Sequence, residues 1–244
     1  MVLASPRFPL RILTVALLCT SAARAEEGGA GAAWKLSVEA GTDFPLSVGA
    51  RVGAEFPYRL RLSTSLGWLP RPYLRAINNV AVDMGAYGRP TADLIESGLQ
   101  SAGVWRTHIG WRPFAGSGFY VDVGYGLLAL GGETRSEDVL VALIGIDPLG
   151  DGGELGRNYT VGSLLHLADV ELGWQWTVRE RWTVRAALSG AFTFNSAASV
   201  EPDYEPSVPV LTEAFTSLAE NKLNDVYQQY VHLPVLSLSV GYVF

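Results

Sequence analysis

Cysteine is nearly absent, since Cys19 is the only one among the 244 residues. It lies within residues 1–25, where two arginines precede an apolar core and Ala23-Arg24-Ala25 offers a small-x-small cleavage site. This pattern is typical of a secretory signal peptide. We therefore expect cleavage to leave a domain over residues 26–244 without a thiol. Disulfides, zinc–thiolate sites and cysteine nucleophiles are excluded from such a chain.

Long hydrophobic runs are also missing. No segment approaches the ~18 consecutive apolar residues of a transmembrane helix, although 48% of the chain is hydrophobic and only 17% is charged. That composition is apolar for a secreted protein without disulfides. A β-barrel accounts for both observations, because alternating residues let a strand face lipid on one side and the lumen on the other.

Basic residues are fewer than acidic residues. The chain has 18 Lys and Arg against 24 Asp and Glu, a formal net charge of −6, and acidic residues concentrate in the long segments 132–160 and 196–230. An acidic surface argues against nucleic-acid binding, which needs basic patches. The acidic run from Asp147 to Glu154 lacks the ligand spacing of an EF-hand loop, so we expect neither a metal nor another cofactor.

Alternation with period two predicts eight strands. In one of them Trp182, Val184 and Phe192 share one face, while Thr183 and Arg185 share the other. Most of the strands reach the ~9–11 residues with which a tilted strand crosses a membrane. The eight segments are 33–41, 46–56, 58–69, 101–113, 119–131, 161–178, 182–195 and 231–244.

The charged residues of these strands share one face, and all seven tryptophans share the other. Because a lysine or arginine facing mid-bilayer costs roughly 2–4 kcal/mol, we predict that the charged face points inward. Eight strands leave a lumen that their own side chains fill, and isolated buried charges are expensive. We expect the inward charges to pair into a plug; unpaired, wet charges would instead make a narrow ion path. The predicted network, with His108 as a neutral member, is Glu39, Arg51, Glu55, Arg59, Arg61, Arg106, His108, Arg112, Asp122, Asp169, Glu171 and Arg185.

The connections alternate between short and long. Short turns at Pro57, 114–118 and 179–181 are predicted to face the periplasm, which places the three long loops outside, as in bacterial outer-membrane barrels. In a soluble β-sandwich, the main structural alternative, the tryptophans would point into a shared core. The same register predicts an aromatic girdle at the periplasmic boundary, formed with Phe244 by Trp34, Phe56, Tyr58, Trp111, Phe119, Trp176 and Trp182.

Helical periodicity appears within the long loops. Apolar residues fall at helical spacing from Tyr73 to Tyr87, in residues 94–99 after Thr91, and from Glu213 to Tyr227. We expect these helices to pack over the barrel mouth. A further segment, Asp138–Ile146, is either a helix or a strand extension, and the latter would make ten strands.

The last strand places Val240, Tyr242 and Phe244 on one face and ends on the aromatic residue. This ending and the eight-strand topology resemble the small outer-membrane proteins of the OmpA/OmpX type. The resemblance implies an all-β, antiparallel, up-and-down transmembrane barrel in the bacterial outer membrane. It also implies that the three terminal residues are a signal read by the β-barrel assembly machinery, that the partners are membrane lipid and lipopolysaccharide, and that the protein is a monomer.

Catalysis has little support in the sequence. His166 and His232 are the only ionisable residues predicted to face outward near the external rim, where a histidine could act as a base. The His-x-Ser pairing of outer-membrane lipid A deacylases is missing, and the resemblance carries over no catalytic residue. We therefore expect a non-enzymatic barrel with a plugged lumen and a structural or surface-contact role. A narrow channel is the alternative, and a lipid-modifying enzyme is less favoured.

Overall fold

The chain folds into a closed antiparallel barrel. The computed structural model describes residues 34–244 except 86–87, 90–91, 93–95, 97–98, 115, 136–157, 180 and 204–208. Within this part of the chain, eight strands pair in chain order and β8 closes the barrel against β1. The predicted up-and-down barrel is thus confirmed, whereas the predicted signal peptide lies outside the described residues. The strands are β1 (Lys35–Phe44), β2 (Ser47–Glu55), β3 (Leu60–Trp68), β4 (Leu99–Trp111), β5 (Phe119–Arg135), β6 (Asn158–Val178), β7 (Trp182–Pro202) and β8 (His232–Val243).

Two of the predicted loop helices are present. Helix α1 spans Arg71–Asp83 and begins with a proline in its first turn, which suits the fixed φ of that residue. It is followed by Gly85 in the left-handed region (φ 78°), a common way to end a helix. Helix α2 spans Pro209–Tyr230. Among the described residues, no helix combines the length and apolarity that a membrane crossing would need.

The other loop predictions are wrong at one residue or lie outside the described residues. Residue Leu99, expected in a helix over 94–99, is instead the first residue of β4. Most of the remainder of that segment lies outside the described residues, as does the whole of Asp138–Ile146.

Strands β6 and β7 are longer than expected, at 21 residues each. This is about twice what a membrane crossing needs, so the hairpin extends beyond the barrel mouth at the end opposite its turn, where β6 begins and β7 ends. A β-bulge explains why the alternation failed there: His166 pairs with Asn195 and Leu167 with Thr193, which leaves Phe194 as the extra residue. Beyond it the facing reverses, so Asn195 is exposed where an inward residue was predicted.

Helix α2 covers the free edge of that projecting hairpin. The β7–β8 ladder ends at Phe192, so the next residues of β7 have no strand on this side. Side chains of α2 replace it: Asn224 Oδ1 accepts the Ala198 N–H at 3.0 Å, and Glu220 Oε1 accepts the Val200 N–H at 2.9 Å. A small apolar cluster joins the helix to the hairpin through Leu223 and its neighbours. Covering a strand edge in this way prevents it from pairing with another chain.

The outer face of the barrel is apolar. Large hydrophobic side chains are exposed there on every part of the sheet, for example Leu62, Ile109, Leu172, Leu188 and Leu238. A soluble β-sandwich would bury such a face, whereas a membrane-spanning barrel turns it toward lipid. A closed barrel that is apolar outside and charged inside is the architecture of bacterial outer-membrane proteins, the location expected from the sequence.

Candidate functional site in the barrel lumen

Arg106 lies at the centre of the lumen and is completely buried. Its guanidinium donates from Nε to Asp169 Oδ2 at 3.0 Å, from Nη1 to Asp43 Oδ2 at 3.0 Å and from Nη2 to Ser189 Oγ at 3.3 Å. On the other side of Asp169, His108 Nε2 lies 2.7 Å from Oδ1. One cation therefore links β1, β6 and β7 across the interior, and His108 extends this layer on β4.

A second buried arginine, Arg185, forms the neighbouring layer. It donates from Nη1 to Glu171 Oε1 at 2.8 Å and to Tyr120 Oη at 3.1 Å, and from Nε to Glu39 Oε2 at 3.2 Å. Tyr120 in turn donates to Glu171 at 2.7 Å. Arg51 lies 3.5 Å from the same carboxylate, so three polar groups converge on one glutamate.

These two layers form one connected group, which we call the plug. Arg51 and Arg185 each lie 3.7 Å from Asp43, the carboxylate that also binds Arg106, and this joins the layers. The plug contains both positively and negatively charged side chains, and they are almost fully shielded from solvent. The plug consists of Glu39, Asp43, Arg51, Arg106, His108, Tyr120, Asp169, Glu171 and Arg185.

The structure places Arg59 outside the lumen, contrary to expectation. It belongs to a 3-10 turn over Pro57–Arg59, has a left-handed backbone (φ 64°), is exposed, and donates to the Pro113 carbonyl at 3.1 Å. Strand β3 begins only at Leu60. Facing rules apply within a pleated strand, so they do not hold for a residue of the turn before it.

Three plug or near-plug residues are missing from the lumen network that the sequence predicts. Asp43 was assigned to the β1–β2 turn, but β1 continues to Phe44 and keeps Asp43 on the inward face of Glu39. Tyr120 and Gln175 also face inward, but as neutral residues they are passed over by a search for charge. Continuing the alternation by two residues beyond Gly41 would have found Asp43.

An apolar layer lies on the external side of the plug. Helix α1 contributes Ile77 to it and α2 contributes Tyr227, whose hydroxyl lies 3.2 Å from Ser163 Oγ. Burial raises the pKa of the Tyr227 hydroxyl above its usual value, which keeps it neutral in this setting. The buried members of the layer are Leu46, Val104, Leu128, Leu165, Leu167, Ala191, Leu233 and Val235.

On the periplasmic side the plug gives way to an open cavity of about 570 Å³, which we call the vestibule. Arg61 in β3 and Arg112, the residue after β4, both line it and donate to Gln175 Oε1, at 2.9 and 2.6 Å. The Arg61 guanidinium also lies over the Tyr120 ring, 3.7 Å from its centroid. Glu55 lies 3.3 Å from Arg112, and Asp122 lies 3.6 Å from Arg61.

Several predicted girdle residues meet in pairs at the periplasmic end. Trp34 contacts Phe56 at a centroid distance of 4.9 Å, and Phe119 contacts Trp174, which was not predicted for the girdle, at the same distance. Tyr58 belongs to the exposed turn before β3. The remaining predicted members, Trp111, Trp176 and Trp182, are exposed on the outer face near the strand ends.

The C-terminal strand is held against both of its neighbours. Phe244 donates its backbone N–H to the Leu36 carbonyl at 2.9 Å, and the rings of Tyr242 and Phe244 are 5.1 Å apart. Val240 is exposed on the outer face. Recognition of these residues by the assembly machinery stays a prediction.

The two outward histidines have aromatic surroundings. His166 Nδ1 lies 2.6 Å from the Tyr125 hydroxyl, and its ring is 6.1 Å from that of Phe194. The ring of His232 lies 5.8 Å from that of Phe192. The acidic run from Asp147 to Glu154 lies outside the described residues.

No protein-family model and no curated protein matches the chain. Among solved structures, it is similar to a major outer membrane protein from Thermus thermophilus, with 16% identity over 88% of this chain and 100% of that chain and a TM-score of 0.46. It is also similar to the N-terminal β-barrel domain of Pseudomonas aeruginosa OprF, with 11% identity, 86% and 96% coverage and a TM-score of 0.40. For Acinetobacter baumannii CarO2 the identity is 13%, the coverage 86% and 98%, and the TM-score 0.39. The eight-stranded up-and-down barrel that the predicted resemblance implies is confirmed by the strand pairing of the chain itself.

Proposed function

We propose that this outer-membrane barrel is non-enzymatic and non-conducting, and that its external loops and helices form a surface for a structural or contact role. The observation that carries the proposal is the plug, because it fills the cross-section of the lumen with paired side chains. Arg106 and Glu171 in its two layers are completely shielded from solvent.

Opening such a lumen requires buried ion pairs to separate. Removing one partner of a buried pair typically costs about 3–5 kcal/mol, and here each arginine has more than one carboxylate. The apolar layer above the plug adds a second barrier, since an ion passing between leucine side chains would lose its hydration. Both barriers support a lumen closed on its external side.

The external half of the molecule supports the contact role. The β6–β7 hairpin and α2 form a rigid projection, because side chains of α2 accept hydrogen bonds from backbone N–H groups at the free edge of β7. We expect membrane lipid and lipopolysaccharide to surround a single copy of the chain. During biogenesis the assembly machinery would recognise Val240, Tyr242 and Phe244.

Single-channel recording in planar bilayers tests this proposal. The folded chain, verified by a band that shifts on boiling in a cold SDS gel, should produce no conductance steps. The substitution Arg106→Ala removes the central cation of the plug, and Arg59→Ala is the matched control at the exposed turn.

The narrow channel is the competing function, and the vestibule favours it because it already leads partway through the barrel. Steps in the unmodified protein that change in Arg106→Ala but not in Arg59→Ala would establish that function and overturn ours. Steps in Arg106→Ala alone would support the plug. Expression of the protein should also leave lipid A chemistry unchanged, whereas a modification lost in His166→Ala would make it an enzyme.

A further inference from the structure

We propose that the periplasmic rim of the barrel binds the headgroups of anionic phospholipids in the periplasmic leaflet, through exposed cations that lie beside the aromatic girdle. We define the rim as the start of β1 and the residues around the three short turns, which are 34–35, 55–59, 111–118 and 179–182. Such binding needs only the outer-membrane location of the barrel, and it holds whether or not the lumen conducts.

The rim is basic, although the chain as a whole is acidic. The whole chain has a formal net charge of −6, and its long external segments are rich in acidic residues. A positively charged surface at one end of the barrel attracts anionic headgroups of the leaflet that it faces. The basic residues of the rim are Lys35, Arg59, Arg112, Arg179 and Arg181, and its acidic residues are Glu55 and Glu180.

Three of these cations are available to a ligand. Lys35, Arg59 and Arg179 are exposed, and none of them forms an ion pair within the described part of the chain. The Arg59 guanidinium has five N–H donors, one of which it gives to a backbone carbonyl at 3.1 Å. By contrast, Arg112 is already held by Glu55 at 3.3 Å. We therefore assign the binding of headgroups to the three exposed cations.

The backbone of the turns provides an independent argument. Tyr58 and Arg59 (both φ 64°) and Arg179 (φ 51°) have left-handed backbones, which within the described residues only glycines otherwise adopt. This conformation is strained for bulky residues, whereas glycine adopts it readily. The turn over 114–118, which has no basic residue, uses two glycines for it (φ 81° and 70°). Two of the three turns thus keep large side chains where glycine would fit without strain, which indicates that these side chains have a role.

The aromatic girdle places the three cations at the depth of the headgroups. Trp34 directly precedes Lys35, and its side chain is exposed. Tyr58, also exposed, directly precedes Arg59. Arg179 lies in the turn that joins two strands whose ends carry exposed tryptophans. Because aromatic belts lie at the level of the headgroups, a cation one to three residues away from them lies where lipid phosphate groups are found.

The positions of the cations select the kind of partner. Lys35 begins β1, Arg59 precedes β3, and Arg179 lies between β6 and β7, so each faces a different part of the surrounding leaflet. Arginine binds phosphate oxygens in a bidentate manner, and lysine binds them as a point charge. Since each cation adjoins side chains that face lipid, the partner is a set of separate phospholipid headgroups and not the cell-wall polymer beyond the membrane.

Electron paramagnetic resonance of spin-labelled lipids provides the test. The folded chain is placed in phosphatidylcholine vesicles with a trace of spin-labelled phosphatidylglycerol or phosphatidylcholine, and the association of each label with the barrel surface is measured. Each cation near an anionic headgroup contributes about fivefold to association, so the average over all boundary lipids should favour phosphatidylglycerol about twofold. The preference should disappear when Lys35→Gln, Arg59→Gln and Arg179→Gln are combined, which we call the rim variant. It should also decrease at ~1 M salt, where the Debye length is ~3 Å.

Two control variants show whether the preference belongs to the rim. Arg71→Gln, Arg75→Gln and Arg89→Gln together remove the same charge from the external end. Glu96 and Asn79 already bind two of these arginines, so the preference should stay unchanged. Exchanging lysine and arginine at the three rim positions keeps the charge and should keep the preference.

Equal association of both lipids with the unmodified chain would overturn the proposal, as would an equal loss of preference in the external control. Cosedimentation with purified peptidoglycan tests the other partner. If the chain in phosphatidylcholine nanodiscs sediments with peptidoglycan, the rim variant does not, and no lipid preference is seen, the rim binds the cell wall and the proposal is wrong. The cold-gel shift verifies that each variant is folded. If the rim variant does not fold, the exposed single change Arg179→Gln should still lower the preference in part.

Discussion

Replacing Arg106 by methionine should strongly destabilise the barrel. The side chain keeps much of its volume but loses its charge, so Asp43 and Asp169 lose the cation that each binds at 3.0 Å. Removing one partner of a buried ion pair costs about 3–5 kcal/mol. We expect the lower end, about 3 kcal/mol, because other groups remain close to both carboxylates: Arg51 lies 3.7 Å from Asp43, and His108 lies 2.7 Å from Asp169.

The free energy of unfolding can be measured by urea titration in phospholipid vesicles, followed by tryptophan fluorescence and by the cold-gel shift. Arg75→Ala is the control, because this arginine pairs with Glu96 on the exposed face of α1. Exposed pairs contribute about 0–1 kcal/mol. A loss below ~1 kcal/mol in Arg106→Met, equal to that of the control, would refute the claim that the plug is a dry, paired cluster.

A double-mutant cycle with Asp169→Asn separates pairing from packing. Neutralising Asp169 in the Arg106→Met background removes one of the two carboxylates left without their cation, so part of the lost stability should return. The coupling between the two sites should lie in the range of about 0.5–3 kcal/mol found for residues in one network. Simple additivity would mean that the two side chains do not interact.

Two further predictions concern the outside of the barrel. Asn224→Ala removes the acceptor of the Ala198 N–H, so amide hydrogen exchange at the free edge of β7 should accelerate while exchange within the barrel stays slow. An unchanged exchange rate in Asn224→Ala would contradict the capping of this edge by α2. The same acceleration in the control Gln229→Ala, which changes an exposed residue, would also contradict it. Phe244→Ala should lower the amount of protein in the outer-membrane fraction, because the terminal aromatic is part of the predicted assembly signal; equal loss in Phe114→Ala, an exposed aromatic of a periplasmic turn, would count against a specific signal.

The membrane-spanning part of the fold was predictable because lipid enforces strict alternation. Within the bilayer a strand must keep charge inside and apolar groups outside, so the inward facing of Arg106, Asp169 and Arg185 follows from their positions alone. The same rule identified most members of the plug without any knowledge of strand pairing. The alternation rule could not identify which carboxylate binds which arginine, since that depends on how neighbouring strands are shifted relative to one another in the closed barrel.

Where the lipid constraint ends, the alternation stops being informative. Arg59 leaves the strand in a tight turn, and Phe194 occupies a bulge that reverses the facing of the residues after it. Tyr120 and Gln175 contribute to the lumen as neutral hydrogen-bonding groups, which charge patterns do not report. The positions of Arg59 and Phe194 are set by hydrogen bonding and packing in three dimensions, so sequence periodicity cannot find them. The alternation does place Tyr120 and Gln175 on the inward face, but it does not show that they belong to the hydrogen-bonded network.

The plug also constrains the register of the strands. Burying its charged groups costs desolvation free energy, which a hydrophobic lumen would avoid. A slip of one residue turns a strand over, so a slipped β7 would bring Arg185 to the lipid at roughly 2–4 kcal/mol. The same slip would leave Glu39 and Glu171 without the guanidinium that binds them at 3.2 and 2.8 Å. Strands that are not neighbours in the sheet are thus coupled across the lumen, since Arg185 on β7 and Glu39 on β1 can meet only when the barrel has closed through β8. An apolar lumen of equal stability would tolerate shifted pairings that this arrangement of charges excludes.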